Sequence, residues 1–261
     1  MLASQRQTVI AEQVRRAGAV RVADLVAEFG VSDMTIRRDL EALAERGLVS
    51  KVHGGATAVD IGSTDEPGFA AKSVQRRRAK EAIAGAAAAL VKPGQAIALS
   101  GGTTTWTLAQ HLIGVPGLTV VTNSVPVADV FYRAARQDRT VILTGGVRTP
   151  SDALVGPFAI GALQTLNLDV LFLGVHGMTA RQGFTTPNIE ESETDRALIA
   201  ASRRLVVLAD ATKWEIVGIR TIARADEAHV LVTDTGLPES ARRALREEVG
   251  ELIIAGERSG A

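Results

Sequence analysis

The chain has 261 residues, of which 46% are hydrophobic and 22% are charged, a balance that supports a sizeable core and excludes wholesale disorder. Basic and acidic residues number 29 each, so the formal net charge is zero and any nucleic-acid binding has to rest on a local patch. The absence of cysteine excludes disulfides, thiolate nucleophiles and cysteine-ligated zinc. No apolar stretch follows the start of the chain, and the longest apolar run is about half of the ~20 residues that a membrane span needs. We therefore expect a cytoplasmic protein that does not enter a membrane.

The first 55 residues predict three short helices and a β-hairpin. Apolar residues recur at helical spacing in three stretches: 4–17, 22–29 and 32–47. Ser32 is a good N-cap for the third stretch. Strand-like runs at 48–52 and 56–59 flank His53-Gly54-Gly55, which we interpret as the turn of the hairpin. This order is typical of a winged helix-turn-helix domain, here assigned to residues 1–58.

A linker is predicted after the hairpin, over residues 59–75. Residues 60–68 are polar and interrupted by glycine and proline. A basic segment, 72–80, then leads into an alanine-rich helix that ends near Leu90. We interpret these basic side chains as a solvated helix face, with a DNA contact as the alternative.

Residues 76–255 predict an α/β domain with a mostly parallel sheet. Strand-like runs occur at 96–99, 118–121, 140–143, 170–173, 205–208 and 230–232. Helical patterns lie between them, at 105–112, 125–135, 157–166, 190–201 and 239–249. Continuous apolar strands that alternate with helices indicate a parallel sheet covered on both faces. Ligands of such sheets bind at the carboxyl ends of the strands, so we expect a site there.

The third helix supplies the candidate DNA-binding residues. Ile36, Leu40 and Leu43 form its apolar stripe, and in a helix-turn-helix domain the other face enters the major groove. The candidates on this helix and at the hairpin are Ser32, Thr35, Arg37, Arg38, Lys51 and His53. Arg37 has an alternative, an ion pair with Asp33 or Glu41, which lie four residues away. Protein binding is the alternative use for such a trio of helices.

A second candidate site is an anion cradle. Residues 101–105 lie between a predicted strand and a helix, where backbone N–H groups can face an anion and hydroxyl groups can add donors. The residues proposed for it are Gly101, Gly102, Thr103, Thr104, Thr105, Asn123, Asp152 and Lys213. Asn123 can instead hold a strand end, Asp152 can instead form an Asx-turn, and Lys213 can be an exposed loop residue. Four histidines without paired spacing predict no metal site, and no cofactor is predicted.

Two motifs resemble those of the DeoR family of bacterial transcriptional regulators. The residues are VSDMTIRRDL at 31–40 and GLVSKVHGGA at 47–56. Lys51 departs from the family pattern, which usually has arginine there, so the bidentate fork is lost. Further family motifs follow in order: GTTT at 102–105, TNS at 122–124, LTGG at 143–146, LVG at 154–156 and DATK at 210–213. Another departure is Ser100-Gly101, where the family commonly has Asp-Ser.

The resemblance implies a second domain like ribose-5-phosphate isomerase, glucosamine-6-phosphate deaminase and CoA-transferases. It implies a repressor that binds double-stranded operator DNA, senses a sugar phosphate or a related metabolite, and forms a homodimer or homotetramer. The alternative is a sugar-phosphate isomerase or deaminase, in which Asp152, Asp210 and Lys213 would serve the chemistry. An enzyme would leave the N-terminal unit unexplained, so we expect no catalytic residues.

Overall fold

The computed structural model describes residues 3–45, 48–57 and 68–257. The chain divides into two compact units, Met1–Ile61 and Gly62–Ala261. Each unit has its own buried apolar core.

The first unit contains three helices and a three-stranded antiparallel sheet. Its elements are α1 (Ala3–Ala17), β1 (Ala19–Arg21), α2 (Val22–Phe29), α3 (Asp33–Glu45), β2 (Ser50–Val52) and β3 (Gly55–Thr57). The strand order is β1-β3-β2. Ile10 and Val14 of α1, Leu25 of α2, and Ile36 and Leu40 of α3 are buried together. The predicted helix-turn-helix with its hairpin is confirmed.

The hairpin turn is shorter than the sequence analysis expected. Gly55 is the first residue of β3 and not part of the turn, which leaves His53 and Gly54. A Cβ atom on Gly55 would lie 2.0 Å from the carbonyl oxygen of Val20 on β1. Glycine is therefore needed here because the backbones of β1 and β3 approach closely. The last two residues of the predicted strand, 58 and 59, lie outside the described residues.

The second unit alternates strands and helices. Its helices are α4 (Phe69–Val74), α5 (Arg77–Ala88), α6 (Thr103–His111), α7 (Val125–Arg133), α8 (Pro157–Leu163), α9 (Ile189–Ala200) and α10 (Glu239–Glu248), with short 3₁₀ helices at Ala211–Lys213 and Ala225–Glu227. Its strands are β4 (Ala96–Leu99), β5 (Thr119–Thr122), β6 (Thr140–Leu143), β7 (Val147–Arg148), β8 (Leu154–Val155), β9 (Val170–Gly174), β10 (Gly177–Thr179), β11 (Gly183–Thr186), β12 (Leu205–Leu208), β13 (Arg220–Ala223), β14 (Val230–Asp234) and β15 (Leu252–Ala255).

Seven of these strands form one parallel sheet in the order β15-β14-β12-β9-β4-β5-β6. Ile97 and Leu99 pack under α5, α6 and α7, whereas Ala98 faces the core beneath α8, α9 and α10. Both faces are therefore covered, which explains why the strands are apolar throughout. All six predicted strands are in this sheet, and β15 was not predicted. The small antiparallel sheets β7–β8 and β10–β11–β13 were not predicted either.

The strand order reverses between β4 and β9. From β4 the chain proceeds to β5 and β6 on one side, and from β9 it proceeds to β12, β14 and β15 on the other. The loops after β4 and β9 therefore leave the sheet in opposite directions. A crevice at this point is the usual ligand site of such a sheet.

Part of the predicted linker is helical, so the linker assignment is wrong beyond residue 68. Phe69 begins α4, and its ring packs edge-on against Trp106 of α6 with the ring centroids 5.9 Å apart. The Phe69 N–H also donates to the carbonyl oxygen of Pro150 over 3.0 Å. Residues 59–67 lie outside the described residues. Within the described part of the chain, no helix is long and apolar enough to cross a membrane.

Candidate functional site

The exposed side of α3 carries the candidate DNA-binding residues. Met34, Arg37, Arg38 and Glu41 are exposed and recur three or four residues apart, on the side opposite the buried Leu40. Sequence reasoning missed Met34, which is 60% exposed and is the first residue of this row. A large apolar side chain exposed among arginines could have been found from helical spacing alone.

Two of the candidate cations are already paired. The Arg37 guanidinium donates to both carboxylate oxygens of Asp33, from Nη2 over 3.3 Å to Oδ2 and from Nε to Oδ1. This is the ion pair with Asp33 that the sequence offered as the alternative to a DNA contact. Lys51 Nζ lies 2.8 Å from Glu41 Oε1, and this hydrogen bond lowers the pKa of Glu41. Arg38, by contrast, makes no hydrogen bond or ion pair with the described residues. Its guanidinium is the uncommitted cation of α3.

Ser32 and Thr35 form the N-terminal cap of α3. Ser32 Oγ accepts from the Thr35 N–H over 3.2 Å and lies 2.9 Å from Thr35 Oγ1. Both side chains therefore hold the helix start, and a DNA contact would be an additional use. His53 is exposed at the hairpin turn.

A buried ion pair fixes α3 against α1. Asp39 is 3% exposed, and it accepts from Arg6 Nε and, over 2.9 Å, from Gln7 Nε2. A charged residue on the apolar stripe of α3 was the signal for this contact. Sequence reasoning overlooked it, although Asp39 belongs to the motif at 31–40. This pair sets the position of the helix that carries Arg38.

A cleft in the second unit opens at the carboxyl ends of β4, β9 and β12. It holds about 900 Å³ of empty space, including the part open to solvent. The Trp106 N–H donates to the Gly102 carbonyl oxygen, so the N–H groups of the three preceding residues have no acceptor within α6. Gly102 caps the helix with φ 152°, a conformation that favours glycine. Gly101, Gly102, Thr103 and Thr104 line the cleft.

Three predicted cradle residues do not line the cleft. Thr105 is 0% exposed, and its hydroxyl lies within donating distance of the carbonyl oxygens of Ser100 and Gly102. Asn123 accepts from the Gly101 N–H over 2.8 Å and donates to Leu154, so it supports the loop from behind. Asp152 accepts from Arg148 Nε over 2.8 Å. The structure gives these three side chains protein partners in place of a direct ligand contact.

The cleft contains more cations than the sequence analysis placed there. Lys213 lines it as predicted, together with Lys72, Arg76 and Lys80 from α4, α5 and the residues between them. Lys80 is 6% exposed and donates to the Lys72 carbonyl oxygen, so for this residue the solvated helix face is wrong. Burial, opposed by the charge of Asp210 and assisted by the cations Lys213 and Lys72, lowers the pKa of Lys80 to about 8. The basic run 72–80 was the available signal.

The cleft lining also includes two acidic residues. Glu191 and Asp195 both line it and stand four residues apart on α9. Glu191 accepts from Thr149 Oγ1 over 2.8 Å and from Thr186 Oγ1 over 3.4 Å. Burial and, next, the charge of Glu191 raise the pKa of Asp195 well above its ordinary value. The candidates chosen from the sequence include neither residue.

Metal binding has no support in the geometry. Over residues 3–45, 48–57 and 68–257, no three histidine, aspartate or glutamate side chains come together in a way that could hold a metal ion. The polar groups that line the cleft are backbone N–H groups, hydroxyls, cations and carboxyls. Such a set suits an organic anion with further hydrogen-bonding groups.

Both units match domains of one family. Residues 6–61 match the DeoR-like helix-turn-helix domain, and residues 75–235 match the DeoR C terminal sensor domain. The HTH-type transcriptional regulator YgbI of Escherichia coli is 38% identical over 256 residues, which cover 98% of this chain and 99% of that protein. The transcriptional repressor AccR of Agrobacterium fabrum is 31% identical over 247 residues, covering 91% of this chain and 95% of that protein.

Solved structures similar to this chain include ribose 5 phosphate isomerase A from Neisseria gonorrhoeae. It is 16% identical and covers 54% of each chain, with a TM-score of 0.40. The family assignment rests on the sequence matches, which include both the helix-turn-helix and the sensor domain. The chain belongs to the DeoR family of DNA-binding transcriptional regulators.

Proposed function

We propose that this regulator is a repressor of a carbohydrate-metabolism operon, and that a phosphorylated sugar or a related metabolite bound in the cleft changes its affinity for operator DNA. The observation that carries this proposal is the anion cradle at the N-terminus of α6, with Lys72, Lys80 and Lys213 around the same cleft. Backbone N–H groups at a helix start and nearby ammonium groups together favour a phosphate over a neutral sugar. Sugar hydroxyls would face the polar walls.

DNA affinity can respond to the effector only if two arrangements of the protein bind the effector differently. The segment that carries Lys72 and Lys80 offers a route, because it enters the cleft and is continuous in sequence with the DNA-binding unit. Phe69 and Lys72 hold α4 against Trp106 and Ser151. An anion that binds these lysines would therefore restrict the start of the second unit.

The test is a charge placed in the cradle. Thr104→Glu introduces a carboxylate among the N–H groups of α6, so it should leave operator binding near normal and remove the response to the effector. The matched control is Gln110→Glu, which adds the same charge at an exposed position on the same helix. Full-length protein is titrated against DNA duplexes enriched by it from a random-sequence pool, with and without the effector. The effector is taken from a thermal-shift panel of ribose 5-phosphate, fructose 6-phosphate, fructose 1-phosphate and glucose 6-phosphate.

Two outcomes would contradict the proposal. A Thr104→Glu protein that responds at the wild-type effector concentration would exclude phosphate binding in this loop. An equal loss of response in Gln110→Glu would point to general charge repulsion and not to the cradle.

The same proposal holds that the chain acts by binding and not by turnover. Incubation with ribose 5-phosphate, glucosamine 6-phosphate or fructose 6-phosphate should give no product above background. Sustained turnover that is lost in Lys213→Ala would contradict this part of the proposal.

A further inference from the structure

The first unit exposes large apolar side chains on its third helix and at its hairpin. Among its described residues these side chains are Met34 on α3, Leu48 just before β2 and Val52 at the end of β2, and none lies on α1 or α2. Met34 is the most exposed of the three, at 60%. Single exposed apolar side chains are common on protein surfaces, so exposure alone identifies no site. Their position on the recognition helix and the hairpin that follows it points to a partner.

Met34 lies where a recognition helix contacts base edges. It is the second residue of α3, and the N-terminal residues of such a helix contact the bases in the major groove. Ile36 and Leu40 are buried in the core of the first unit, which turns Met34 away from that core. One helical turn further along, Arg38 is exposed on the same side and has no partner among the described residues. The thioether and the uncommitted guanidinium therefore belong to one surface of α3.

The charges beside Met34 cancel each other. Asp33 and Arg37 form an ion pair four residues apart, so this turn of α3 offers a phosphate group no net positive charge. A thioether has no hydrogen-bond donor, so Met34 itself gains nothing from a phosphate. Among the groups in the major groove, the C5-methyl group of thymine is the apolar one. Packing that methyl group against Met34 removes about one methyl group from water, which is worth about fourfold in affinity.

We propose that Met34 is a specificity-determining residue that recognises a thymine of the operator through its C5-methyl group. Arg38 follows four residues later, which is about 6 Å along the helix, and successive base pairs are about 3.4 Å apart. The thymine therefore lies within about two base pairs of the base or phosphate that Arg38 contacts. This inference goes beyond the proposed function, because it concerns which DNA the chain selects and needs no effector.

The experiment removes one methyl group at a time from the DNA. Duplexes enriched by the full-length protein from a random-sequence pool are remade with deoxyuridine in place of single thymidines, which deletes the C5-methyl group and keeps the base pairing. Titrations without effector, at several salt concentrations, compare the wild type with Met34→Ala, Met34→Leu and Arg38→Ala. Because Met34 is exposed, Met34→Ala should unfold at the wild-type temperature, which a thermal melt checks.

We expect deoxyuridine at the recognised position to weaken wild-type binding by about fourfold. Met34→Ala should bind the thymine duplex about fourfold or more weakly than the wild type and should bind the thymine and uracil duplexes equally. Its salt dependence should match that of the wild type, because no phosphate contact is lost. Met34→Leu keeps an apolar side chain of similar volume and should retain the preference for thymine within about twofold. Arg38→Ala is the matched control, since it should weaken binding yet keep the same preference for thymine.

Four results would overturn the role of Met34. If no single deoxyuridine weakens wild-type binding, the protein recognises no thymine methyl group. Retention of the thymine preference by Met34→Ala would assign the methyl contact to another residue. Equal affinity of Met34→Ala and the wild type for the thymine duplex would place Met34 outside the interface. An equal loss of affinity for every duplex, with a smaller salt slope, would place it against the DNA backbone. None of these results involves the cleft of the second unit, so the proposed function stands or falls separately.

Discussion

Both units bury aspartates, and Asp39 of the first unit differs from Asp195 of the second in its hydrogen bonding. Asp39 of the first unit is 3% exposed, and its two oxygens accept hydrogen bonds from Arg6 and Gln7. Asp195 of the second unit is 8% exposed, and the described residues give it no such partner. A satisfied buried carboxyl holds structure together, whereas one left unsatisfied beside a cleft costs stability and is available to a ligand.

The cations divide in the same way. Arg37 and Lys51 are occupied by carboxylates of α3 in the unbound protein, while Arg38 is not. In the cleft, Lys80 is buried beside two further lysines, which lowers its pKa. Arg38 and the clustered lysines of the cleft therefore mark the surfaces where each unit is expected to meet its partner. The four predictions below test this contrast, beginning with the largest effect.

Asp39→Ala should cost the most stability. Removing this carboxylate leaves the Arg6 guanidinium buried without its counter-ion, and breaking a buried pair in this way costs about 3–5 kcal/mol. We expect the first unit to unfold at lower denaturant concentration, as measured by chemical denaturation of the full chain. Asp195→Ala should not destabilise the chain in the same assay. An equal loss for the two variants would break the contrast between paired and unpaired carboxyls.

Arg38→Ala should have the second largest effect, on DNA binding. Loss of a guanine contact costs about 1–3 kcal/mol at one base pair, and loss of a phosphate contact weakens all sequences and reduces the salt slope by about one. The control is Arg37→Ala, which removes an arginine already paired with Asp33 and should weaken binding less. Titrations of both variants against enriched duplexes at several salt concentrations measure the difference. Wild-type affinity in Arg38→Ala would show that α3 does not use this residue.

The sequence predicted the fold well where a pattern extended over a whole element. Six of the seven strands of the parallel sheet are mostly apolar runs, and each of these six was placed to within about two residues. The strand β15 was missed because no helical pattern follows Leu252–Ala255, so the alternation of strands and helices did not point to it. The strands β7, β8, β10 and β11 have only two to four residues, and their pairing depends on tertiary contacts that no local pattern carries.

The candidate site was predicted only in part, for a related reason. Gly101–Thr104 was found because a helix start after a strand is a local feature. Lys80 and Asp195 were missed, since a single charged residue in a helix looks exposed until the packing around it is known. Thr105 was assigned to the ligand because its hydroxyl was assumed to be available, but Ser100 and Gly102 supply carbonyl acceptors within the protein. Which charged side chains come together in a cleft depends on how the whole chain folds and is not visible in a local motif.

The third prediction is that Lys80 takes up a proton when an anion binds in the cleft. Its pKa is lowered to about 8 by burial, so at pH 8 about half of the molecules carry a neutral amine. A bound anion favours the ammonium form and raises this pKa, so binding takes up as much as about half a proton at that pH. Calorimetry with inorganic phosphate in two buffers of different ionisation enthalpy measures this uptake.

Lys80→Met should remove that proton uptake and weaken phosphate binding by about tenfold, as for the loss of one charge-assisted hydrogen bond. Lys92→Met is the matched control, because Lys92 is exposed and does not line the cleft. Equal proton uptake by the wild type and Lys80→Met would assign the proton to another group. The cationic end of the cleft would then need a different explanation.

The smallest expected effect is the pH dependence that Asp195 gives to the ligand-free protein. Its pKa is raised in the folded chain above the ordinary value of 3.8, chiefly by burial. The folded state therefore holds the proton more tightly than the unfolded state. The stability that this proton contributes is complete below pH 3.8 and is lost as the pH rises through the raised pKa. Asp195→Asn cannot ionise, so this component should be absent from its stability profile. Thermal unfolding of both proteins across this range measures the difference, which should shift in favour of Asp195→Asn as the pH rises. A constant difference would mean that Asp195 is solvated and ionised like an ordinary aspartate, and its contrast with Asp39 would disappear.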